Sequence, residues 1–132
     1  ICPIMDARRK QVYTGIYRYE DHRLMTVKDQ MAVGIEELLS MLNEMGEAVT
    51  FLGDGVPVFK DIIADKLTVP FSFAPAHLSR QRAGAVGALG VLYYKEGRTE
   101  TAAEHKPDYL RVSQAERERA QKLIKGSEGE NA

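Results

Sequence analysis

The sequence predicts an α/β domain on a five-strand mixed sheet, and three observations carry that prediction. The opening holds two runs rich in β-branched and aromatic residues, Cys2 to Met5 and Val12 to Tyr19, around a polar break at Asp6 to Lys10, which is a hairpin pattern. From Ile35 the apolar period lengthens: Ile35, Leu38, Leu39, Leu42 and Met45 recur at helical spacing. After that helix, the continuous apolar run Ala48 to Leu52 sits between Gly-containing turns, as expected of a buried strand parallel to the first.

Taken in order, the second strand puts Val12, Thr14, Ile16 and Arg18 on one face and Tyr13, Gly15, Tyr17 and Tyr19 on the other, because successive side chains alternate. Both faces are largely apolar, so the strand calls for cover on each side. Glu20-Asp21-His22-Arg23 reads as a polar turn, and Leu24 to Val33 as a third antiparallel strand. The helix from Ile35 has Glu36 and Glu37 in its favourable first turn and Gly46 as its stop. Gly53-Asp54-Gly55 then leads into a second helix with Pro57 at its start and Phe59, Ile62 and Ile63 on its inner face. Thr68 to Phe73 is a weaker strand, interrupted by Pro70 and so placed at the sheet edge. Ser79 reads as the N-cap of a long helix to about Glu96, ended by Gly97, in which Ala83, Gly84, Gly87, Ala88 and Gly90 are small. Each such glycine costs roughly 1 kcal/mol of helix propensity relative to Ala, which close approach to another helix or to the sheet would offset. Arg98 to His105 is a loop and Pro107 to Val112 is extended. The capping box Ser113-Gln114-Ala115-Glu116 opens a last helix to about Lys125, and residues 126–132 are expected to be disordered.

The order βββαβαβα, with right-handed crossovers between parallel strands, gives a five-strand mixed sheet with helices on both faces. That is the ribonuclease H-like arrangement. The domain plan is residues 1–112 as this fold, 113–125 as an added C-terminal helix and 126–132 as tail. In an open sheet of this kind the ligand crevice lies where the strand order reverses, between the first and fourth strands. Asp6 and Gly53-Asp54-Gly55 fall at those two strand ends.

Composition narrows the function classes. A chain of 132 residues fits one domain. Its net charge of −1, from 18 basic and 19 acidic residues, supplies no general attraction to nucleic acid or anionic lipid. The single cysteine, Cys2, cannot pair within the chain and reads as a small buried hydrophobe. No apolar run approaches the roughly 20 residues that span a bilayer, and the chain reads as cytosolic. It begins at Ile1 inside a strand pattern, as the later part of a longer protein would.

With these residues in hand, the chain resembles the C-terminal half of the TsaB (YeaZ) family. The resemblance rests on Met5-Asp6-Ala7-Arg8-Arg9 with Gln11-Val12-Tyr13, on Leu52-Gly53-Asp54-Gly55, and on Pro107-Asp108-Tyr109-Leu110-Arg111 followed by Ser113-Gln114-Ala115-Glu116-Arg117. The resemblance implies two ribonuclease H-like halves of the actin-like ATPase superfamily, of which this sequence looks like the second. It further implies a non-catalytic, cytoplasmic subunit in the making of threonylcarbamoyladenosine on tRNA. The implied partners are a catalytic TsaD-type subunit, a TsaE-type ATPase and a second copy in a homodimer, with tRNA met only through the complex. No membrane, metal or other cofactor is implied for this subunit, and a "glycoprotease" label would come by descent from the larger subunit.

Other chemistry competes with that reading. The larger subunit's metal site uses two histidines four apart. Four beyond His22 is Thr26, beyond His77 is Gln81 and beyond His105 is Tyr109, so none matches. Asp6, Gly53, Asp54 and Gly55 form either a vestigial phosphate or nucleotide loop, using free amides at a helix start, or a tight strand-to-helix turn with Asp6 capping the Arg8-Arg9 turn. The corresponding alternative function is a nucleotide-dependent enzyme or peptidase working from an Asp6/Asp54 cleft. Arg8, Arg9 and Lys10 with Arg80 and Arg82 are either a small basic patch for tRNA phosphates or solvated turn charges. Gly84, Gly87 and Gly90, together with Tyr109, Leu110 and Arg111, are the candidate interface, with Arg111 expected to seek a carboxylate or carbonyl partner. A bare homodimerisation module is the remaining reading.

Overall fold

The computed structural model describes residues 1–111. The elements are β1 (Cys2–Asp6), β2 (Gln11–Glu20), β3 (Arg23–Gly34), α1 (Ile35–Met45), β4 (Val49–Leu52), α2 (Val56–Lys66), β5 (Phe71–Phe73), a 3-10 turn (Ala76–Leu78) and α3 (Ala83–Lys95). They build a five-stranded sheet in the order β3-β2-β1-β4-β5. β1 pairs antiparallel to β2 and parallel to β4, and β5 continues parallel to β4. The mixed sheet and the ribonuclease H-like order are thus as the sequence predicts. The capping box from Ser113, the helix to Lys125 and the tail lie outside the described residues.

Two hairpin turns set the register. Glu20 pairs with Arg23, leaving Asp21 and His22 as a two-residue loop with φ of 47° and 64°. Paired left-handed residues match the natural twist of the flanking strands. At the β1–β2 turn Arg8, Arg9 and Lys10 all have φ between 55° and 63°. The turn is tied by Ala7 N–H to the Gln11 carbonyl at 2.9 Å and by Gln11 N–H to the Arg8 carbonyl at 3.0 Å.

The core lies on one face of the sheet. Cys2 and Ile4 of β1, Val12 and Ile16 of β2, Val33 of β3, and Val49 and Phe51 of β4 meet Ile35, Leu38, Leu39 and Leu42 of α1 and Phe59 and Ile63 of α2. α1 runs from Ile35 to Met45 and is closed by Gly46 at φ 70°, which matches its sequence pattern. Asn43 near its end bridges to the next crossover: its Oδ1 accepts from Thr68 N–H at 2.8 Å, and its Nδ2 donates to the Lys66 carbonyl at 3.0 Å. Glu36 and Lys66 join α1 to α2 by an ion pair of 2.9 Å.

Two expectations are corrected. The edge strand expected over Thr68–Phe73 is confined to Phe71–Phe73. Pro70 has no N–H to give a ladder, although its carbonyl still accepts from Val49 N–H at 3.0 Å. Ser79 is not the N-cap of the long helix. It closes the 3-10 turn, and α3 starts at Ala83 behind Arg82, whose backbone is extended. α3 contributes no buried residue. The second face carries Pro3, Met5, Tyr13, Gly15 and Tyr17, and Leu110 of the chain's extended segment lines with them an open groove of about 190 Å³.

Candidate functional site

The carboxyl ends of β1 and β4 are neighbours in the sheet, so the fold brings Asp6 and the Gly53-Asp54-Gly55 loop together. The backbone N–H of Asp6 donates to Asp54 Oδ1 at 3.3 Å. The Asp6 carboxylate faces the other way: Oδ1 accepts the Arg8 N–H at 2.8 Å, and Oδ2 lies 3.4 Å from Arg8 Nη1. Asp6 therefore stabilises the left-handed turn that begins at Arg8, a conformation that disfavours side-chain-bearing residues.

The amides of Gly53, Gly55 and Val56 are bonded within the chain. Gly53 N–H donates to the Ser79 carbonyl at 2.6 Å, Gly55 N–H to the Ile4 carbonyl at 3.0 Å and Val56 N–H to the Gly53 carbonyl at 3.2 Å. A phosphate cradle depends on such groups being free to point at a ligand. Gly53 has φ of 107°, and a Cβ there would lie 2.2 Å from the Ile4 carbonyl oxygen. Only glycine allows that approach, so this loop presses the start of α2 against the backbone of β1. Ser79 has a backbone role without a local sequence signature, because its carbonyl's partner lies 26 residues away.

The basic residues flank this same end of the sheet. Arg8, Arg9 and Lys10 follow Asp6 directly, while Arg80 and Arg82 follow Ser79, whose carbonyl holds Gly53. The histidines are dispersed: His22 in the β2–β3 turn, His77 in the 3-10 turn, and His105 beside Glu100. Among the described residues no three His, Cys, Asp or Glu side chains gather as a metal site would need. Cys2 is fully buried beside Thr14, its Sγ 3.4 Å from the hydroxyl, and burial pushes its thiol pKa up. A raised pKa keeps the thiol protonated and unreactive at neutral pH.

The remaining candidates divide between two places. Arg111 Nη1 donates to the Ala7 carbonyl at 2.6 Å and to Gln11 Oε1 at 3.2 Å, with its guanidinium 6.0 Å from the Tyr13 ring centre. This clamp fastens the extended segment to the β1–β2 turn, so Leu110 rests over the second face while Tyr109 stays 84% exposed. Gly84, Gly87 and Gly90 lie in α3 with open space where each Cβ would be. Within the described residues, the structure does not bring the two sets into one site. No described helix is long and apolar enough to cross a membrane.

Comparison with known proteins bears out the resemblance seen in the sequence. No family profile matches the chain. It is 36% identical over 116 residues to the tRNA threonylcarbamoyladenosine biosynthesis protein TsaB of Bacillus subtilis, covering 88% of this chain and 49% of that protein. The fold matches the crystal structure of an uncharacterized protein with similarity to peptidase YEAZ from Pseudomonas aeruginosa, at TM-score 0.63 and 18% identity, over 83% of this chain and 48% of that one. YeaZ from Pseudomonas aeruginosa superposes at TM-score 0.57 and 17% identity, over 82% of this chain and 48% of that one. The chain thus spans about half the length of the relatives it matches.

Proposed function

We propose that this chain is the second half of a TsaB-type subunit that supports the formation of threonylcarbamoyladenosine on tRNA. The observation that carries the proposal is the 36% identity to a protein of that pathway, sustained over 88% of the chain. In this reading the subunit is cytoplasmic and non-catalytic. It holds a TsaD-type threonylcarbamoyltransferase in its active form, together with a TsaE-type ATPase, and meets tRNA only within that complex. The geometry at the strand switch supports a scaffold over a nucleotide-dependent enzyme or peptidase. The amides of Gly53 and Gly55 are bonded to Ser79 and Ile4, and the Asp6 carboxylate is bonded to Arg8.

The test is reconstitution of threonylcarbamoyladenosine formation with the catalytic subunit, the ATPase, ATP and the enzyme that forms the threonylcarbamoyl adenylate. Three additions are compared: none, the 132-residue chain, and the chain with its upstream half. Restoration by the longer protein is the expected result. Failure of both chains, with ATP or peptide hydrolysis by the longer protein alone, would favour an enzyme working from the Asp6/Asp54 cleft.

A further inference from the structure

The geometry points to the β1–β2 turn and the link before α3 as one contact surface for the phosphodiester backbone of RNA, used when the subunit sits in its complex; this rests on the reading of the chain as half of a TsaB-type subunit. Arg8, Arg9 and Lys10 form the turn, and Arg80 and Arg82 stand in the link. The fold ties both segments to one loop. Gly53 N–H donates to the carbonyl of Ser79, the residue before Arg80, and Asp54 Oδ1 accepts the N–H of Asp6, two residues before Arg8. All five basic residues are exposed, Arg8 with 87% of its side chain in solvent.

The turn's own geometry does not account for three cations. Arg8, Arg9 and Lys10 have φ of 63°, 55° and 58°. That left-handed region is cheap for glycine and tolerated by Asp and His, as at Asp21-His22, but long side chains enter it at a conformational cost. Glycine at these positions would make the same turn with less strain. Strain that a fold sustains by bonding around it is the mark of a site in use. The bonding here is dense: Asp6 Oδ1 accepts the Arg8 N–H at 2.8 Å, the Arg8 carbonyl accepts from Gln11 N–H at 3.0 Å, and the Lys10 carbonyl accepts from Ile35 N–H at 2.9 Å. Arg111 holds the Ala7 carbonyl from the other side. The backbone beneath the cations is fixed before any ligand arrives, which lowers the ordering cost of binding.

The chemistry of the patch selects phosphate. Four of the five residues are arginines, whose planar forks engage phosphate oxygens in pairs. Nearby carboxylates are already engaged: Asp6 with Arg8, and Glu36, which also feels the charge of Lys10, with Lys66 at 2.9 Å. The chain's net charge of −1 confines the attraction to this end, which suits a backbone contact made inside an assembly rather than unaided capture of nucleic acid. With a relative in tRNA threonylcarbamoyladenosine biosynthesis, RNA is the polyanion the patch meets.

Fluorescence anisotropy of labelled tRNA, titrated across about 50–200 mM salt with the complex of the longer protein and the catalytic subunit, tests the assignment. Arg80→Gln with Arg82→Gln should weaken binding about 10-fold and flatten the slope of log affinity against log salt by about 2, and Arg8→Gln should take off about 1 more. The first pair lies outside the strained turn, so it reads the surface without disturbing β1 and β2. Arg18→Gln with Arg23→Gln removes the same charge at the far end of the β2–β3 ribbon and should change neither quantity. Unchanged affinity and slope in the patch variants, or an equal loss in the far pair, would overturn the inference. So would patch-dependent binding to phosphatidylserine vesicles or to a phosphopeptide while tRNA affinity holds. Restored modification with equal tRNA affinities sinks the patch and leaves the subunit reading intact; failed modification with a patch-dependent salt slope does the reverse.

Discussion

α1 and α3 are helices of 11 and 13 residues, both rich in apolar side chains, and the fold treats them oppositely. α1 gathers Ile35, Leu38, Leu39 and Leu42 on a single face and buries all four. α3 distributes its apolar residues around the axis and buries none. The difference teaches that apolar content alone does not place a helix against a sheet. A one-sided stripe meets the sheet and leaves a polar face in water, whereas an all-round apolar helix needs more cover than this sheet provides.

The comparison can be broken most decisively in the core. Phe51, fully buried in β4 beneath α1 and α2, should cost about 3–5 kcal/mol on substitution to Ala, measured by urea unfolding of the 132-residue chain. Leu92→Ala in α3 should change the same chain by no more than about 0.5 kcal/mol. Equal losses would mean that α3 is already part of the core.

A second contrast uses the same substitution in two glycines. Gly53→Ala places a methyl against the Ile4 carbonyl at a φ of 107°, and should cost roughly 2–3 kcal/mol. Gly87→Ala, in open space on a helix, should stabilise the 132-residue chain by up to about 1 kcal/mol. Melting midpoints of the two variants moving in the same direction would refute the contrast.

The smallest effect concerns how α1 is held to α2. The hydrogen bond from Lys66, followed by that ammonium's charge, keeps the Glu36 carboxyl below its ordinary pKa of 4.5. A carboxyl depressed in the folded state contributes stability above its ordinary pKa and loses it as pH falls through the folded value. Acid unfolding of wild type and Glu36→Gln should therefore differ slightly above pH 4.5 and converge below it. Curves that coincide throughout would leave this ion pair with no measurable contribution, the usual outcome for exposed pairs.

Much of the fold was legible because its signals are local. The period change at Ile35 and the glycine at 46 bound α1 as observed, and the polar turn at Asp21-His22 set the β2–β3 hairpin. The candidate site was legible in position only. The sequence put Asp6 and Gly53-Asp54-Gly55 at adjoining strand ends, and it favoured a tight turn there without excluding a phosphate loop. The choice depended on where the amides point, and their acceptors, Ile4 and Ser79, are distant in sequence. The same limit applies to Asn43 with Thr68 and to Arg111 with Ala7, each a single polar contact without periodicity.

By itself the sequence determined the alternation of strands and helices, the strand order that follows from right-handed crossovers, and which face of α1 is buried. Each of these follows from backbone geometry acting over a few residues, or from apolar patterning repeated along a segment. Only the tertiary structure decided that Ser79 closes the Gly53 loop, that Arg111 clamps the extended segment to the β1–β2 turn, and that α3 stays uncovered. Those outcomes depend on which groups far apart in the chain come within hydrogen-bonding or van der Waals reach, and such distances are set when the whole sheet assembles.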